Sequence, residues 1–396
     1  MMKTRKYIVP FIGLLAVLAA CVSEFDANLD ITDQELLIVE GNIAPNTEIS
    51  FFFSKSFSLN ENEPPEGYDN VWVTLVVVGD NGYRSEPAVY QGNGKHTLQM
   101  GPLDSNVAYG IEFEYDGNTY RSDLSKPIPT PAIEEVSWIQ PEKNAPVTVR
   151  VTTALSEQSE PVYYHWTYEE DWEMTATYYT TLFLDPQIEE FYGYDEAPYY
   201  YCWKNKKNTN ILISSTESLT ENRILNKPLY EHNSEDDRYS LLYSTIIRQR
   251  AISKAAYEYY ENKAKLHEET GGLFGSQPSE VEGNISCITD PERKVIGFIN
   301  VSENVDEKRI YINHNEISKR YIQPECQEMT AKDMREYMGK NDYSLSLVYS
   351  EGYRPNGIWY GNGQYEIWFW YQARCTDCRE RGGNKNKPSF WPNDHE

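Results

Sequence analysis

Apolar residues recur at every second position through much of this chain, with few stretches of helical period. Leu36–Gly41, Glu48–Ser54, Trp72–Val78, His96–Met100 and Tyr109–Tyr115 are short runs of alternating or continuous apolar character. Such runs read as strands with at least one buried face. Gly79-Asp80-Asn81-Gly82 and Asp116-Gly117-Asn118 separate them, and these residue types tolerate the positive φ that tight hairpins need. The pattern predicts an Ig-like antiparallel β-sandwich over 36–126. Pro127, Pro129 and Pro131 follow and predict a stiff linker over 127–131.

The remainder, 132–396, reads as a larger strand-rich domain. Val147–Thr153, Val162–Tyr168, Ile211–Ser215, Tyr239–Arg250, Val295–Val301, Arg309–Asn313, Ser344–Tyr349 and Tyr365–Tyr371 carry strand patterns. Two inserted helices interrupt them. Ser253 is a suitable N-cap for a helix over 254–269, which Gly271-Gly272 would stop. Thr330 with Asp333 forms an acidic capping box for a helix over 330–338. Asp185–Asn208 is aromatic, weakly periodic and reads as a long excursion. The expected fold class is therefore mainly β.

The first residues change the picture. Lys3, Arg5 and Lys6 precede an apolar run from Tyr7 to Ala20, too short to span a bilayer. The run ends in Leu18-Ala19-Ala20-Cys21. This resembles a bacterial lipobox, so 1–20 is expected to be a lipoprotein signal peptide. Cys21 would be the lipidation residue and 21–35 a tether. An ordinary secretory signal with a chance cysteine is the alternative. Attachment by lipid alone is expected, since no later segment is long and apolar enough to cross. Glu24 and Asp26 behind the anchor resemble the surface-export signal of Bacteroidota lipoproteins.

With 36 Lys and Arg against 61 Asp and Glu in 396 residues, the chain is too acidic for sequence-independent nucleic-acid binding. Export implies an oxidising compartment, so Cys202, Cys287, Cys326, Cys375 and Cys378 are candidates for structural disulfides. Five cysteines leave one unpaired, and the connectivity stays open. The C-x-x-C at 375–378 could also be a redox pair or half a zinc site. It lacks the βαβ context of the first and the second close pair of the other. The six histidines show no metal-ligand spacing, and no nucleophile elbow, phosphate loop or dinucleotide fingerprint occurs. No catalytic residue, cofactor or metal is expected. Glu169-Glu170-Asp171, Glu189-Glu190 and Glu235-Asp236-Asp237 are expected on solvated faces.

The 32 tyrosines and nine tryptophans are a surplus. Trp166, Trp368 and Trp370 are expected to fill a core. Within the excursion, Tyr192, Tyr194, Tyr199, Tyr200 and Trp203 are expected to be presented for a ligand or partner, because rigid amphipathic rings make contact at low entropic cost.

Several motifs together resemble the Bacteroidota outer-membrane lipoproteins catalogued as domain of unknown function 4249. They are Leu37-Ile38-Val39-Glu40-Gly41, Tyr164–Glu173, Gly272-Leu273-Phe274 with Gln277-Pro278 and Gly283-Asn284, Val295-Ile296-Gly297-Phe298, Cys375-Thr376-Asp377-Cys378 with Gly382-Gly383, and Lys387–Trp391. The resemblance implies an outer-membrane, surface-exposed lipoprotein accompanying a TonB-dependent receptor in nutrient capture. It supplies no catalytic residues. The expected function is a non-enzymatic binding or lid accessory of such a transporter. A surface adhesive or structural lipoprotein is the alternative. A hydrolase using carboxylates from distant strands is a third reading.

Overall fold

Alternation sends one face of each N-terminal strand into a shared core. One sheet orders Val295–Val301, Leu37–Ile43, Glu48–Lys55, Lys95–Gln99 and Val89–Gly92. The facing sheet orders Ile285–Cys287, Asn118–Ser122, Ala108–Tyr115, Trp72–Gly79 and Gly82–Pro87. Val39, Phe51, Phe53, Leu75, Ile111 and Phe113 fill the space between them. Phe53 meets Phe113 edge-on at 5.0 Å between ring centroids, a geometry that ring quadrupoles favour. The outward alternates Phe52 and Trp72 are exposed.

This computed structural model describes residues 36–55, 67–79, 82–269, 283–318, 322, 325–337 and 344–392. The signal segment 1–20, Cys21, the tether 21–35, Asp80-Asn81 and Gly271-Gly272 lie outside the described residues.

The sandwich expected over 36–126 takes two of its strands from much later in the chain. Leu37–Ile43 pairs in parallel with Val295–Val301, and Asn118–Ser122 pairs antiparallel with Ile285–Cys287. The sheets therefore do not divide at the linker 127–131. The returning strands cover two edges that would otherwise expose unpaired N–H and C=O groups. A parallel partner must arrive by a long crossover, which no local pattern announces.

A second core lies between the three-stranded sheet Lys227–His232, Val147–Thr153, Ile133–Ile139 and a central sheet. The central sheet orders Tyr201–Lys207, Tyr163–Thr175, Leu242–Ile252 and Asp306–Asn313, with Leu212–Ser215 also paired along Tyr163–Thr175. Val149, Val151, Tyr164, Trp166 and Ile247 are buried here. Trp166 Nε1 donates to Gln249 Oε1 at 2.7 Å, so the buried indole leaves no polar atom unpaired.

Both expected helices form. Ala256 N donates to Ser253 Oγ at 3.1 Å at the start of Lys254–Glu269. Thr330 and Asp333 exchange backbone and side-chain hydrogen bonds at the start of Ala331–Tyr337. Two expectations need correction. Ser344–Tyr349 is not a strand but the start of a short helix, Leu345–Ser350. Ser344 caps it, accepting from Leu347 N at 3.1 Å. Trp370 is buried, but Trp368 is 41% exposed. The hairpin register passes from Asn356↔Phe369 to Gly357↔Ile367, so Trp368 is the extra residue of a bulge and is re-aimed outward. No helix among the described residues is long and apolar enough to cross a membrane.

Candidate functional site

Asp185–Asn208, read as an excursion, instead supplies most of a hairpin, Leu182–Asp185 with Glu190–Gly193, and the strand Tyr201–Lys207. The hairpin packs against a second one, Tyr353–Gly361 with Gln364–Gln372. The approach is close. A Cβ at Gly193 would sit 1.9 Å from Trp359 Cβ, so only glycine fits there. Thr180 joins the two hairpins, its Oγ1 accepting from Gly357 N at 3.2 Å and Leu182 N at 3.3 Å.

The C-x-x-C completes the assembly, and its sulfurs do not bond each other. Cys378 bonds Cys202 on the central sheet, and Cys375 bonds Cys326. The two residues between them, Thr376 and Asp377, are thus pinned from both sides, and both line a pocket of about 120 Å³. Cys287, a candidate for pairing, is a buried free thiol. Its strand Ile285–Cys287 turns it into the first core, where Thr289 Oγ1 lies 3.5 Å from its Sγ.

Phe183, Tyr192, Tyr199 and Tyr349 wall the pocket, with Arg354 and Arg379 beside them. Phe183 is the hub of the rings, 6.1 Å from Tyr192, 5.4 Å from Tyr194 and 5.3 Å from Tyr199. Arg379 lies 3.5 Å over the Tyr199 ring. Its Nε and Nη2 donate to Asp377 Oδ1 at 3.0 Å and Oδ2 at 2.7 Å, a fork that fixes both groups. Arg354 lies 3.4 Å over Tyr349 and donates through Nη1 to the Tyr349 and Tyr353 carbonyls at 2.8 and 2.9 Å. Burial, then the neighbouring Tyr194 and Tyr199, raise the Tyr192 hydroxyl above its ordinary pKa. At neutral pH it keeps its proton and can donate a hydrogen bond.

The expected aromatic residues divide. Tyr192 and Tyr194 are each 42% exposed, and Tyr199 is a half-buried pocket wall. Tyr200 turns away to Tyr179, at 5.3 Å, and to the core around Cys202 and Cys378. Trp203 corrects the expectation. It is buried on Tyr201–Lys207, packed with Leu242 and Trp391, and its backbone exchanges two hydrogen bonds with Asn384. Phe183, Tyr349, Arg354 and Arg379 were not legible as site residues. Only Arg379 had a pointer, its place beside the C-x-x-C.

The acidic run at 169–171 is also not a solvated face. Glu170 and Asp171 are buried. Glu170 Oε1 meets His232 Nε2 at 2.7 Å and accepts from Arg238 Nε at 3.1 Å and the Tyr243 hydroxyl at 2.9 Å. Burial alone would raise its pKa. The hydrogen bond from His232 and the charges of His232 and Arg238 outweigh that and hold it below the usual carboxylate value. Asp171 pairs with Arg309 at 3.2 Å. These carboxylates are spent on cations inside the fold. Among the described residues, no group of three or more His, Cys, Asp or Glu side chains is placed to hold a metal ion.

No curated protein matches the chain at a significant level. A family profile does, over residues 22–309. That range contains the strands of both sandwiches, ending within Asp306–Asn313, whereas Cys326, Cys375, Cys378 and Lys387–Trp391 lie beyond it. With most of its length matched in this way, the chain belongs to the family described as Domain of unknown function (DUF4249).

Proposed function

We propose that the protein is a non-enzymatic binding lipoprotein, held at the outer-membrane surface by lipid on Cys21. In this reading it is an accessory of a TonB-dependent nutrient transporter. The observation that carries the reading is the disulfide-braced aromatic pocket, whose wall presents Tyr192 to solvent with the exposed Tyr194 packed beside it on Phe183. Rings already locked against Phe183 lose little freedom on contact. Tyr192, Thr376 and Arg354 offer hydrogen-bonding groups beside apolar faces, the combination that small-molecule and peptide sites use. The pocket's one carboxylate, Asp377, is engaged by Arg379, which supports binding over acid–base chemistry. The lipobox-like Leu18–Cys21 supports the anchor, and the family resemblance supports the partner class.

The test is co-purification from outer membranes in mild detergent. A TonB-dependent barrel should accompany the wild-type chain and be depleted in a Tyr192→Ala/Tyr194→Ala variant. Repeated recovery of the anchored protein alone would overturn the partnership. Retention of a Cys21→Ser chain in the membrane fraction would overturn the anchor.

A further inference from the structure

A larger cleft separates the first sandwich from the central sheet, and its chemistry differs from that of the aromatic pocket. Two adjoining cavities, about 620 and 410 Å³, share Asn42, Ser50 and Arg250 as lining residues. Asn42 and Ser50 come from the sandwich strands. Arg250 comes from Leu242–Ile252, where it stands directly across from His165 of Tyr163–Thr175. In an antiparallel pair such residues point to the same face, so imidazole and guanidinium look into the cleft together.

The Arg250 side chain forms no ion pair among the described residues, and its Nε is buried without a hydrogen-bond partner. Its neighbour on the same face, Arg248, shows the contrast, pairing with Glu169 at 3.3 Å and Glu307 at 3.1 Å. Three polar atoms around the cleft are buried without a partner: Arg250 Nε, His165 Nδ1 and Asn42 Oδ1. His165 is held in place by stacking on Tyr260, 4.8 Å away and 6° from parallel. Leaving a half-buried guanidinium without a counter-charge is costly, and a fold that pairs so many other cations has not paired this one. Burial, then the charge of Arg250, keeps the imidazole neutral, with its pKa down at about 3. It therefore adds a hydrogen-bonding nitrogen and no second charge.

Phe52, Tyr259 and Phe298 line the same region. Of the carboxylates that also line the two cavities, Glu40 is engaged by Lys263 and Glu307 by Arg248, while Glu48 lies in the larger cavity, away from the rings. An occupant on the Phe52 side of Arg250 would thus meet a cation at one end and aromatic walls at the other. We infer that this cleft is a binding site for a small amphipathic oxyanion, a carboxylate or phosphate whose headgroup sits on Arg250 and whose apolar body lies against Phe52 and Phe298. The site is separate from the aromatic pocket, and neither reading depends on the other.

Calorimetric titration of the purified full chain with benzoate and with phenyl phosphate tests this, and comparison of the two separates the carboxylate from the phosphate source. At least one should bind saturably. Arg250→Gln should weaken it about 10- to 100-fold, the range for losing a charge-assisted hydrogen bond. Asn42→Asp supplies an internal counter-charge and should abolish binding without lowering the melting temperature, which keeps the test informative if Arg250→Gln fails to fold. Absence of saturable binding for both probes, or unchanged affinity in Asn42→Asp, would overturn the inference.

Discussion

His165 makes the stability of this protein depend on pH in a way that can be isolated. Its imidazole is half-buried against Tyr260, and burial, then Arg250 and Lys263, push its pKa from 6.5 down to about 3. In the unfolded chain it titrates at its ordinary value. The folded pKa is the lower one, so this residue costs nothing above pH 6.5, and stability drains away as pH falls toward 3. The slope is about 1.4 kcal/mol per pH unit. Between neutral pH and pH 5 the loss should reach ~2 kcal/mol. Urea unfolding followed by tryptophan fluorescence, with disulfides intact, measures it on wild type and His165→Gln at both pH values. Carboxylates such as Glu170 titrate in both proteins, so the difference between the two pH dependences belongs to His165. Wild type should lose ~2 kcal/mol more than the variant. Parallel pH dependences would refute the assignment of a buried neutral imidazole.

Three further outcomes follow from the packing. Trp203→Ala should cost roughly 3–5 kcal/mol, as large-to-small core changes do, while Tyr194→Ala should stay within about 0.5 kcal/mol; thermal melts separate them. Gly193→Ala should lower the melting temperature by the equivalent of about 1–3 kcal/mol, because the added methyl would enter Trp359, and hydrogen exchange should locate the loosening in the two hairpins. Replacing Cys202 and Cys378 with Ala should cost about 2–5 kcal/mol, with protease sensitivity appearing at 373–381 before the sandwiches unfold.

The hypotheses about the aromatic excursion failed where they relied on local pattern alone. Trp203 lies next to Cys202 on a strand, so the two point to opposite faces, and both faces are buried there. Cys202 is covered through its disulfide to Cys378 and Trp203 by Trp391 arriving from the far end of the chain. Trp368 matched Trp370 in period, but a bulge breaks the count between them. Ser344–Tyr349 alternates as a strand would, yet Ser344 is also an N-cap, and the hydrogen bond to Leu347 N favours the helix. The acidic run at 169–171 looked like surface because its cations, Arg238 and Arg309, lie far along the chain.

Features set by neighbours a few residues apart were legible in the sequence. The period of two called for a β protein, and Ser253 and the Thr330–Asp333 pair placed two helix starts. Partnerships across long stretches were decided only on folding. The joining of 37–43 to 295–301, bridges spanning 176 and 49 residues, and the meeting of His165 with Arg250 all depend on how the whole chain closes. Period and capping are short-range energies written into adjacent residues. Pairing at a distance is a competition among many possible loop closures, settled by the packing of every strand together.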